Sequence, residues 1–114
     1  MLQVKHIIVC GHYDCGGVKA SLANLDHHAP LENWLRQIRD TYRLHKDELD
    51  VIEDPDTRAR RLVEINVEEQ CLNIFKTAVV QKRRVETHIE AKAGTNPYVT
   101  FSEPQVHAMV YEPT

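Results

Sequence analysis

Nothing in this chain is apolar for long enough to span a bilayer. The stretch near its start, Leu2 to Val9, is short and lacks a cleavage pattern, so it reads as neither membrane span nor signal peptide. Glycine and proline are scarce, 4 and 5 of 114 residues, beside 42% hydrophobic and 27% charged residues. That balance excludes collagen-like, low-complexity and disordered chains. Cysteine is limited to Cys10, Cys15 and Cys71, and an odd number at irregular spacing does not make a disulfide framework. Reduced thiols suit the cytoplasm, or a mitochondrial or other organelle matrix. A strong charge of either sign is missing too. The net charge of −3 gives no electrostatic reason to expect nucleic acid or an anionic membrane. The one basic cluster, Lys82-Arg83-Arg84, reads as a solvated helix face. What remains is one small domain over residues 1–114, with a core but little margin.

The pattern of apolar residues predicts an α/β chain. Val4, Ile7, Ile8 and Val9 form a β-branched run ending at Gly11, which suits a strand buried on both faces of a parallel sheet. Gly16 and Gly17 allow a tight turn into a helix beginning near Val18. Pro30 sits well at the start of a second helix, on which Leu31, Trp34, Leu35, Ile38 and Tyr42 share a face. Asp54-Pro55-Asp56-Thr57 breaks the pattern and caps a third helix, expected from about Arg58 to Ala91 or Lys92 with a bend on the way. Val63, Val67, Cys71, Ile74 and Ala78 make one apolar stripe on it, and Ile65, Leu72 and Val79 another, so it is expected between two layers. Ala93-Gly94-Thr95-Asn96-Pro97 ends the helical region, and Gln105 to Tyr111 alternates as a second strand. The connection is long enough to make the two strands parallel. Two strands make a poor sheet, so a stable monomer is not expected.

The sharpest local feature is Cys-Gly-His-Tyr-Asp-Cys-Gly-Gly, residues 10 to 17. In open α/β sheets, ligands gather beyond the carboxyl ends of strands, where His12 and Cys15 fall. Imidazole and thiolate are preferred zinc ligands, and two intervening residues let both reach one ion. Gly16 and Gly17 remove side-chain bulk beside them. By itself H-x-x-C is a weak signal; a half-buried histidine beside an inert core cysteine is the blander reading, and the more frequent one.

The string CGHYDCGGV closely resembles the zinc-binding segment of the β-class carbonic anhydrases. NWLRQIRD, residues 33–40, and EINVEEQ, residues 64–70, agree with that family in order and spacing. The final QVHAMVY is similar to its late strand, with Ala108 and Met109 in place of the usual Gly-Trp. The YRLHKDELD and VQKRRVE stretches resemble the fungal members most. The resemblance implies a parallel-sheet domain with long packed helices, zinc as cofactor, reversible hydration of carbon dioxide to bicarbonate, and a homo-oligomer, dimeric or higher. It implies His12 and Cys15 as two of three protein zinc ligands. The family's third ligand lies in an upstream Cys-x-Asp-x-Arg segment, whose Asp and Arg pair beside the metal site. No such segment occurs in this sequence. The chain therefore reads as the later, N-terminally truncated portion of such a domain, with no catalytic residue assigned and activity of the chain alone not expected.

Neighbouring residues offer substitute ligands. Cys10 lies two residues before His12, and an uninterrupted strand puts both on one face unless Gly11 distorts it. Asp14 could offer a carboxylate oxygen; solvated roles are favoured for both His27 and His28, packing for Cys71, and a structural hydrogen bond for His107. Glu64 and Glu68 share a helix face at i and i+4, and read as solvated or inter-subunit groups. Trp34 and Tyr42 read as core or interface. A different class of function also fits: a non-catalytic oligomerisation or interaction remnant, or a fragment of such an enzyme.

Overall fold

The structure is a computed structural model that describes residues 3–23 and 27–113; Leu2, at the start of the predicted strand, lies outside them. The elements run β1 (His6–His12), α1 (Gly16–Leu22), α2 (Leu31–Leu44), α3 (Lys46–Asp50), α4 (Pro55–Phe75), α5 (Ala78–Ala93) and β2 (Gln105–Tyr111). β1 and β2 pair as a parallel two-stranded sheet. Gln105 N–H donates to the Lys5 carbonyl at one end, and Tyr13 N–H to the Tyr111 carbonyl at the other. The chain divides into two compact units, residues 1–9 with 70–109, and residues 10–69 with 110–114.

The second unit holds the main core. Leu49, Leu62 and Ile65 are essentially inaccessible, packed with Val18 and Val63. Burying each large aliphatic side chain contributes roughly 1.5–3 kcal/mol. Leu62 and Ile65 lie on α4, whose first turn is set by Asp54. Its carboxylate accepts from the Thr57 amide at 3.0 Å and the Thr57 hydroxyl at 2.6 Å, the capping expected from the sequence. One turn on, Arg58 Nε donates to the carbonyls of Leu49 at 3.2 Å and Ile52 at 3.0 Å, covering acceptors left open where α3 ends. On α2, Leu35 is buried, and Ile38 and Tyr42 pack on the core. Arg39 Nε ties α2 to the Ser21 carbonyl of α1 at 3.1 Å.

The two hydrogen bonds from Thr57, hydroxyl first, hold the Asp54 carboxyl below its usual value of 3.8. A depressed folded-state pKa contributes stability that is fully present above 3.8 and is lost as pH falls through the lower folded value. Asp54→Asn keeps an acceptor but loses the titration. Melting curves of both proteins, taken from about pH 7 to about pH 2, should show a gap that closes at the acid end. A gap of constant size would contradict the assignment.

In the first unit, α5 is joined to the segment before β2 by Thr87, which is fully buried. Its hydroxyl donates to the Arg83 carbonyl at 2.8 Å and accepts from the Glu103 amide at 2.8 Å. Arg83 also pairs with the Glu103 carboxylate at 3.3 Å, and Arg84 donates to the Pro104 carbonyl at 2.8 Å while lying 5.0 Å over the Phe75 ring. The basic cluster is therefore not a solvated face: two of its three cations hold partners within this unit.

Three further expectations need correction. β1 is not buried on both faces. His6, Ile8, Cys10 and His12 are exposed while the alternate residues are half-buried, because among the described residues β1 has one neighbouring strand and no second covering layer. The helix expected from Arg58 to Ala91 or Lys92 is two helices. Thr77 takes an extended conformation (φ −64°, ψ 144°), and its hydroxyl donates to the Ile74 carbonyl at 2.7 Å, competing with the helical ladder. The α2 stripe is only partly core. Leu31 and Trp34, the latter 71% exposed, stand outside it, as do Leu72 and Val79 of the predicted second stripe of the long helix.

Candidate metal centre

His12 and Cys15 fall where strand gives way to helix. His12 is the last residue of β1 and is exposed; its Nδ1 lies 2.9 Å from the Tyr13 carbonyl. An Nδ1–H donated to that oxygen leaves Nε2 with the lone pair, the tautomer in which backbone-anchored histidines ligate metals. Cys15 is the residue before α1, a half-buried free thiol packed against the core. Its Sγ stands 3.8 Å from where a Cβ on Gly17 would be, ordinary contact distance, while Gly16 faces open space. The glycine that is sterically required is another, Gly11.

Between the two candidate ligands, Asp14 reverses the chain in the left-handed region, φ 56°. Asp and Asn tolerate this region better than other side-chain-bearing residues. Its carboxylate is taken by Lys19, whose hydrogen bond and charge hold the Asp14 carboxyl below its ordinary range. Cys10 shares the exposed face of β1 with His12, since the strand continues undistorted through Gly11, but its thiol donates to the Gly11 carbonyl at 3.6 Å.

Two residues that sequence reasoning missed brace this loop. The Arg60 guanidinium lies 3.9 Å over the Tyr13 ring and binds Glu112 through both carboxylate oxygens, at 3.2 and 2.7 Å. Arg60 thereby holds the Glu112 carboxyl below its ordinary range. Fifty-two residues separate the two, so no local pattern announces the pair. Together with Asp14, Cys15 and Lys19 they line a cleft of about 330 Å³. Glu64, which shares a helix face with Glu68, lies 3.5 Å from Arg61.

Zinc asks for more than this. Structural sites take four protein ligands and catalytic ones three. Among the described residues, no three His, Cys, Asp or Glu side chains gather to hold an ion. His12 and Cys15 have the right donor chemistry, but the described residues do not by themselves fit zinc. Nor is any helix among them long and apolar enough to cross a membrane.

Comparison with known proteins places this arrangement. The pattern of the carbonic anhydrase family matches residues 1–94. A carbonic anhydrase of Emericella nidulans is 60% identical over 81 residues, covering 71% of this chain and 35% of the relative. A β-carbonic anhydrase structure from Sordaria macrospora, described as tetrameric, superposes with a TM-score of 0.73 at 27% identity, covering 96% of this chain and 48% of that one. One from Aspergillus fumigatus superposes with a TM-score of 0.70 at 31% identity, covering 96% and 44%. The chain thus spans about a third of that curated relative and just under half of those solved chains. β2 lies beyond the residues matched by the family pattern, and the structural likeness extends over nearly the whole chain. On these grounds the chain belongs to the carbonic anhydrase family, in its β class.

Proposed function

We propose that residues 1–114 form part of a β-carbonic anhydrase domain that takes part in the reversible, zinc-dependent hydration of carbon dioxide to bicarbonate. The observation that carries this reading is His12 closing β1 and Cys15 preceding α1, in a chain of this family. Zinc, when bound, supplies the Lewis acidity that makes water a nucleophile near neutral pH. His12 would offer Nε2, its ring steadied through Nδ1, and Cys15 its thiolate. Gly16 and Gly17 leave room for a small substrate beside the pair. Asp14, engaged by Lys19, is the weaker substitute ligand, and Cys10 remains a second. A third protein ligand would have to come from outside the described residues. A homo-oligomer, dimeric or higher, agrees with the tetrameric relative and with the exposed Val79, Val85 and Ile89 of α5.

Zinc content and carbon dioxide hydration, measured on the purified chain and on His12→Asn with Cys15→Ser, test the reading. Zinc retained by the parent and lost from the double variant supports the ligand pair. Equal affinity of both for added zinc, measured by titration, overturns it. Stopped-flow hydration separates catalysis from binding, and on two ligands alone turnover is expected to be slight.

The exposed apolar residues of α5 favour a second reading, a non-catalytic association module. Concentration-dependent oligomers that form equally with and without His12 and Cys15, and lack turnover, would favour it.

A further inference from the structure

The exposed face of the sheet carries a second pair of nitrogen ligands, apart from His12 and Cys15. Nδ1 of His6 on β1 and Nε2 of His107 on β2 are 3.0 Å apart, with ring centroids separated by 5.2 Å and ring planes inclined by 37°. Both side chains are exposed. The parallel register, set by the Gln105 amide on the Lys5 carbonyl, brings these residues side by side although 101 positions separate them. Phe101 lies 5.8 Å from the His6 ring and limits where that ring can go.

We infer that His6 and His107 form a two-imidazole chelate for a divalent late first-row transition ion. With Zn–N bonds of about 2.0–2.1 Å, two cis nitrogens on one ion stand about 2.9 Å apart at a right angle and about 3.3 Å apart at the tetrahedral angle. The observed 3.0 Å falls inside that interval. Without an ion, one ring donates a proton to the other. An ion takes the place of that shared proton after a modest turn of two exposed rings. Imidazole suits nickel, copper and zinc, and water completes the coordination. Two rigid strands hold the donors close, so the second nitrogen binds at high effective concentration.

The test is calorimetric titration with Ni²⁺ of the full chain carrying His12→Asn and Cys15→Ser, which removes the other candidate pair. His6→Asn and His107→Asn are then added singly and together, with folding followed by circular dichroism. Either single substitution should weaken Ni²⁺ binding by about 10²-fold, and the double should be no worse than either single. Unchanged affinity in either single variant, or losses that sum as independent sites, overturns the chelate. In the chain without substitutions, substoichiometric Ni²⁺ should broaden the ring-proton resonances of His6 and His107 together, whatever happens at His12; broadening of any histidine other than His12 before them also overturns it. That readout does not depend on any variant folding.

Discussion

Gly11→Ala is expected to destabilise the protein by about 1–3 kcal/mol, the cost of overpacking a filled core. A Cβ at residue 11 would stand 2.3 Å from Val67 Cγ2, closer than real Cβ atoms come to any heavy atom, and 3.6 Å from Val63 Cγ1. Val67 is buried on α4, and its β-branched side chain has one stiff torsion with which to retreat. Strand and helix backbones must therefore separate, in the residue immediately before His12. Urea denaturation should show a lower midpoint with an unchanged slope. Val67→Ala removes the obstructing methyl and should destabilise alone, yet cost less in the Gly11→Ala background. Such negative coupling marks a steric conflict shared by two sites. Equal midpoints for Gly11→Ala and the parent would refute the close approach.

The largest loss is expected from Leu62→Ala, about 2–5 kcal/mol. Leu62 is 0% exposed and sits among Val18, Leu49, Val63 and Ile65, so truncation opens a cavity bounded by three elements that cannot all collapse into it. Small domains hold only about 5–15 kcal/mol of net stability, so this one change removes a large share. Leu72→Ala, on the same helix but 46% exposed, serves as the comparison and should cost no more than about 0.5 kcal/mol. Matched denaturation curves for the two variants decide the point. Similar losses would mean that the helix does not present Leu62 inward.

Much of the local structure was legible because short-range rules govern it. β2 occupies Gln105–Tyr111 as expected, although Ala108 is exposed like His107 and Met109 on either side of it, and α2 begins directly after Pro30. Asp54 caps the next helix through Thr57, which needs only three residues of sequence. Thr77 was harder: its break depends on a hydroxyl choosing the Ile74 carbonyl over solvent, and apolar periodicity carries no sign of that choice. The stripes of Leu31 and Trp34, and of Leu72 and Val79, show the other limit. Periodicity says which residues share a face, not whether anything lies against it.

The sequence by itself determined the family, the parallel strand pair and the placement of His12 and Cys15 at a strand-to-helix junction, because each is written in adjacent residues and their order. Only tertiary structure decided that Arg60 reaches Glu112 across Tyr13, that Gly11 yields its space to Val67, and that His6 meets His107. Those partners are 52 to 101 residues apart along the chain. They meet because the parallel register and the packing of α4 bring them together, and no local propensity encodes either distance.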